Sequence, residues 1–174
     1  TRAIGGKWDL NAKMVKQELR AMKDKNVISS LKHFPGTATT HYIDTHMAPA
    51  DNDTPFEFWN NTYGNMYREL MKENPPTVMT GHYNFIDYQH DNVGEEYPPA
   101  TISYDITTKL LREELGFKGV VVTDALVMGG FVGVAATDNC IKSFLSGNDI
   151  LLWPAYEYID EMEKKILSGE IDEA

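Results

Sequence analysis

With 174 residues, 42% of them apolar and 24% charged, the chain has the composition of one globular domain, which excludes a disordered or collagen-like class. A formal net charge of −10 sets the average surface against nucleic acid and anionic membranes. The single cysteine, Cys140, cannot close an intrachain disulfide, no apolar run approaches the roughly 20 residues of a membrane span, and residues 1–20 lack the basic-then-apolar order of a signal peptide.

Strand-like and helix-like segments alternate along the chain, the pattern of an α/β fold with a parallel sheet. Leu10, Met14, Ala21 and Met22 among charged residues predict an amphipathic helix over 8–25, and residues 27–34 follow as a buried strand. Thr54-Pro55-Phe56-Glu57 reads as a helix start, with Thr54 as N-cap, Pro55 at the first helical position and Glu57 completing a capping box. Phe56, Trp59, Tyr63, Met66, Tyr67 and Leu70 then recur at helical spacing as one apolar face. Pro75-Pro76 ends that helix, residues 77–85 read as a strand, and 86–101 as a long surface loop. Ser103 caps a helix that Gly116 stops; residues 119–126 are the clearest strand, their Val run suiting coverage on both faces. A helix near 138–146, a fourth strand over 149–153 and a last amphipathic helix over 156–167 complete the series.

Polar residues fall at the carboxyl ends of the apolar strands: Lys32 and His33 on the first, His82 on the second, Asp124 on the third. Parallel strands gather those side chains at one rim, where α/β barrels and open α/β sheets hold their active sites. A carboxylate directly after a Val run is costly in mid-strand and tolerable at an exposed, hydrogen-bonded strand end, which singles out Asp124. His41, Asp44 and His46 lie close together, but three adjacent loop residues without a further ligand or supporting shell make a weak metal site.

Lys32-His33-Phe34-Pro35-Gly36, followed by Asp44-Thr45-His46, resembles glycoside hydrolase family 3 in its β-N-acetylhexosaminidase branch. Val78-Met79-Thr80-Gly81-His82, Pro99-Ala100-Thr101-Ile102-Ser103, Val122-Thr123-Asp124-Ala125-Leu126-Val127-Met128 and Gly147-Asn148-Asp149-Ile150-Leu151-Leu152 resemble later segments of that family, in its order. The loop departs from the usual pattern, which has His-Gly after the Pro-Gly and one residue fewer before the dyad; here it reads Thr37-Ala38-Thr39-Thr40-His41-Tyr42-Ile43.

The resemblance implies the C-terminal half, strands five to eight, of a (β/α)8 TIM barrel truncated at both ends, with outer helices and two open sheet edges that invite self-association or a missing barrel half. It also implies a retaining glycosidase with no metal or cofactor, removing terminal β-linked N-acetylglucosamine as in peptidoglycan recycling. Asp124 then stands where the family has its nucleophile, and His46 where it has the acid/base, held by Asp44. Arg2, Lys32, His33, His82 and Met128 match sugar-binding or pocket-lining positions. A neutral-range His with a carboxylate partner suits a group that gives and later takes a proton. The competing expectations are a β-glucosidase-type member of the same family and a non-catalytic saccharide-binding or assembly fragment.

Overall fold

The computed structural model describes residues 5–36, 43–48, 50–90, 97–131 and 136–172. Helix α1 (Trp8–Asp24) leads to strand β1 (Ser30–Phe34), and β2 (Ala50–Asn52) to helix α2 (Phe56–Trp59). A π-turn (Asn60–Gly64) joins α2 to α3 (Asn65–Met71), after which come β3 (Thr77–Thr80) and β4 (Tyr83–Phe85). A 3-10 turn (Ala100–Ile102) and a π-helix (Asp105–Glu114) precede β5 (Val120–Thr123), α4 (Ala136–Leu145) and α5 (Tyr158–Leu167). The main sheet is parallel in the order β1-β3-β5, and a small second sheet pairs β2 with β4, also in parallel. With helices on the outside, this is a partial (β/α)-barrel architecture of parallel strands. None of the helices is long and apolar enough to cross a membrane among the described residues.

The main core lies between the sheet and its helices. Leu31, Phe34, Val78 and Val121 point from the strands into a cluster with Leu19, Trp59, Tyr67, Leu70, Ile106, Leu110 and Leu111. Phe34 meets the edges of Trp59 and Tyr67 at centroid distances of 6.3 and 5.0 Å, and Trp59 packs on Phe85 at 5.4 Å. The apolar face expected on the second helix is therefore real. Strands β3 and β5 bury alternate residues, so Val78 and Val121 are covered while Met79 and Val122 on the opposite face are only half-buried. The Val run was expected to be covered on both faces; among the described residues only the helix-facing side is fully covered.

Other expectations shift at element boundaries. The first strand begins at Ser30, not 27, because Asn26 turns the chain out of α1 at φ 56° and leaves Val27 and Ile28 exposed. The capping box does not form: Pro55 occupies the cap position, and the Phe56 amide donates to Asp87 Oδ2 at 2.6 Å instead. Ser103 does cap the next helix, its Oγ accepting from the Ile106 amide at 3.2 Å, and Gly116 stops that helix at φ 71°, where a side chain would be strained.

The strand expected over 77–85 is two strands separated by Gly81-His82, one in each sheet. The strand expected over 149–153 shrinks to a single parallel bridge, Val122 to Ile150. Its ladder is cut short because the Leu152 amide donates to the Thr123 hydroxyl rather than to a backbone carbonyl, and Trp153 turns away at φ 52°.

Candidate active site

Strand register builds the rim. Phe34 is level with Thr80 and Thr80 with Thr123, and the ladder runs one step further: Gly81 donates to the Phe34 carbonyl (2.9 Å) and Asp124 to the Thr80 carbonyl (2.8 Å). His33, His82 and Asp124 thus leave three adjacent strands at one end, as the sequence pattern requires.

Asp124 keeps both carboxylate oxygens occupied. Oδ1 accepts from the Ala125 amide at 2.9 Å, and Oδ2 faces His33 Nε2 at 3.4 Å. Both side chains are one-fifth exposed, enough for a small ligand to reach them from the rim. Lys32 is exposed on the same strand end. Arg2, expected to clamp the sugar, and His41 lie outside the described residues.

Asp44 and His46 form a hydrogen-bonded pair on the 43–48 loop. His46 Nδ1 lies 2.7 Å from Asp44 Oδ1, which also accepts the His46 backbone amide at 3.0 Å. That amide and the imidazole together hold the Asp44 carboxyl below its ordinary pKa, so it is ionised at neutral pH and fixes the proton of neutral His46 on Nδ1. Nε2 takes no part in that pair, and both side chains are about two-thirds exposed. Between them Thr45 turns inward and is only 7% exposed. The loop rests on the turn after Asp124: Gly130 donates to the Thr45 carbonyl at 2.8 Å and Gly129 to that of His46 at 2.9 Å.

His82, expected on the sugar side, corrects that reading. It is fully buried, with Nε2 2.9 Å from the Ala125 carbonyl and Nδ1 3.0 Å from Thr101 Oγ1. A carbonyl only accepts, so Nε2 carries the proton and Nδ1 accepts from the Thr101 hydroxyl. Burial pushes the His82 pKa below its ordinary value, against the opposing pull of the Ala125 carbonyl and the Asp124 charge. Nε2 thus holds the residue that follows Asp124, and Nδ1 ties the imidazole to Thr101. Met128 is also buried, at 7% exposure, its amide closing the turn onto the Ala125 carbonyl at 3.0 Å.

Sequence reasoning missed the polar support behind this turn. Asn148 accepts from the Thr80 hydroxyl at 2.8 Å and donates to the Thr101 carbonyl at 3.0 Å, so the third strand end and the His82 brace share one buried network. Tyr83 was also missed. Its ring lies over Gly81 and beside His33, its hydroxyl bonds to Thr45, and its acidity is weakened first by burial and then by the charges of Asp124 and Asp44. A Tyr beside a strand-end His was the available signal, but treating 77–85 as one strand hid it.

The sequence profile described as the glycosyl hydrolase family 3 N terminal domain matches residues 1–174. The chain belongs to glycoside hydrolase family 3. This family 3 chain is 38% identical over 144 residues to beta-hexosaminidase A of Pseudoalteromonas piscicida, covering 79% of this chain and 24% of that protein. It is 27% identical over 158 residues to a beta-N-acetylglucosaminidase/beta-glucosidase of Cellulomonas fimi, covering 88% and 28%. The solved family 3 beta-N-acetylglucosaminidase from Paenibacillus sp. str. FPU-7 is similar at a TM-score of 0.87 and 31% identity, over 99% of this chain and 33% of that one. The chain spans about a quarter of the length of the two curated relatives.

Proposed function

We propose that the protein is a retaining β-N-acetylglucosaminidase and that this chain is the part of its catalytic barrel carrying the nucleophile and the acid/base. The observation that carries the reading is the Asp44–His46 pair, held by backbone bonds on the turn that begins at Asp124.

In the first step Asp124 Oδ2 attacks the anomeric carbon, the glycosidic bond breaks, and the leaving oxygen takes a proton from Nε2 of protonated His46. In the second, neutral His46 takes a proton from water, which attacks the anomeric carbon and releases Asp124. Asp44 stays ionised throughout and stabilises the imidazolium without accepting its proton. His33 points Nε2 at the nucleophile's outer oxygen, where it orients the carboxylate. Lys32 supplies donors to sugar hydroxyls from the exposed strand end, and Arg2 joins them in this reading. His82 positions the Asp124 turn from behind and does not touch sugar.

Asp124→Asn tests the reading in the whole protein. A chromogenic N-acetylglucosaminide should be turned over by the unsubstituted protein, a fluorinated slow substrate should leave its glycosyl group on the peptide containing Asp124, and the Asn variant should bind sugar without accumulating that adduct. A label on another carboxylate removes Asp124 from the role. A β-glucosidase-type specificity is the second reading, favoured by the Cellulomonas fimi relative whose name carries both activities. Faster turnover of an aryl glucoside than of the matching N-acetylglucosaminide decides for it.

A further inference from the structure

Gly129 and Gly130 follow Asp124 by five and six residues and have no side chain to offer chemistry. Their amides nevertheless make the two backbone bonds that fix the dyad loop, to the carbonyls of His46 and Thr45. A Cβ on Gly129 would lie 2.5 Å from the Met47 carbonyl oxygen and 2.9 Å from that of His46. One on Gly130 would lie 2.6 Å from the Thr45 oxygen and 3.0 Å from that of Ala48. These obstacles are backbone atoms, so a side chain at either position displaces the loop. Neither glycine has a positive φ, so alanine is conformationally acceptable there and its effect falls on the contact. The far side of the loop is held as well, since Ala50 pairs with Tyr83 and Thr45 is buried.

We infer that Gly129 and Gly130 are positioning residues for the acid/base: their amides and missing side chains let the Asp44–His46 loop seat on the segment that carries Asp124 in the position the structure shows. The inference rests on the proposed roles of His46 and Asp124. It makes the glycine pair act on one partial reaction. Donation of a proton by His46 matters most when the leaving group is poor, so a loop displaced by about an ångström slows poor leaving groups by up to about 100-fold and good ones little.

The test measures kcat/KM for aryl N-acetylglucosaminides of graded leaving-group pKa, in the whole protein, for Gly129→Ala, Gly130→Ala and His46→Ala. The expected result is a steeper dependence on leaving-group pKa in all three, with the glycine variants short of His46→Ala. A glycine variant with the unsubstituted slope, or with equal loss at every leaving group, overturns the inference. If His46→Ala itself keeps the unsubstituted slope, the acid/base reading has failed separately. In that case, or if a glycine variant does not fold, hydrogen exchange on the unsubstituted protein decides the seating. Slow exchange of the Gly129 and Gly130 amides supports it, and exchange at the rate of a free peptide overturns it.

Discussion

Histidines at this rim are held in opposite ways. His46 is exposed with one nitrogen fixed by a carboxylate, whereas His82 is enclosed and keeps both nitrogens bonded inside the protein. A neutral buried imidazole resists protonation, so the folded pKa of His82 lies below the ordinary 6.5 of the unfolded chain. At pH values between those two, the unfolded state binds more protons. Stability therefore falls as pH drops below about 6.5 and stops falling on this account below the folded pKa. Denaturant midpoints at pH 7.5 and 5.5 should differ more in the unsubstituted protein than in His82→Gln, which has no proton to gain. Equal differences would mean that His82 does not couple protonation to folding. Asp124 stood out from residue type and position, because a carboxylate directly after a Val run is unusual, whereas the Asp44–His46 pair stood out only through the family resemblance and by itself reads as an ordinary loop pair. The burial of His82 was not legible: a strand-end His reads the same whether its partner is solvent or the Ala125 carbonyl.

At the scale of elements, α1 is fastened to α3 and the turn after it by two ion pairs, Lys16–Glu69 at 2.6 Å and Arg20–Glu73 at 2.7 Å, with Lys72 also on Glu69. Lys16 and Lys72 hold the Glu69 carboxyl down to about 2, and Arg20 lowers that of Glu73. A depressed carboxyl contributes stability above its unfolded value of 4.5 and loses it as pH falls toward the folded value. Protection of the α1 amides, taken relative to their intrinsic exchange rate at each pH, should fall between about pH 4.5 and 2, and Glu69→Gln should flatten that dependence.

A second fastening lies under the rim. Trp59 Nε1 donates to the Pro35 carbonyl at 2.8 Å, tying the end of β1 to α2. Trp59→Phe keeps most of the packing and strands that buried carbonyl, a loss of about 1–3 kcal/mol that a shift of the denaturant midpoint at constant m would register. The helix face bearing Trp59 was legible from its period. The break at Gly81-His82 and the single bridge at Ile150 were not: past Gly81 the chain leaves the main sheet and Tyr83 pairs with Ala50 instead, and past Ile150 the Leu152 amide goes to the Thr123 hydroxyl.

For the molecule as a whole, the accessible surface of 10311 Å² exceeds by about a fifth the roughly 8,600 Å² expected for a compact 19.7 kDa monomer. The excess accords with a sheet covered on one face, with Met79 and Val122 half-buried and Val120 and Ile150 exposed. Among the described residues no strand pairs with the outer edge of β1 or lies beyond Ile150. An unpaired edge and an uncovered apolar face both favour association. The 174-residue chain alone should therefore sediment as a concentration-dependent mixture, with fast amide exchange along β1 wherever no partner covers it. A monodisperse monomer with protected β1 edge amides would show that the sheet closes by itself.

The small β2–β4 sheet sets the direction from which the dyad is controlled. Ala50 is bound to Tyr83 only four residues after His46, and the Thr45 and His46 carbonyls are taken by Gly130 and Gly129. The histidine is moored from downstream, like a boat tied at the stern. The number of residues between Gly36 and Asp44 is thereby decoupled from where His46 sits. A residue inserted or removed between Gly36 and Asp44 should then leave the bonds to the Thr45 and His46 carbonyls in place.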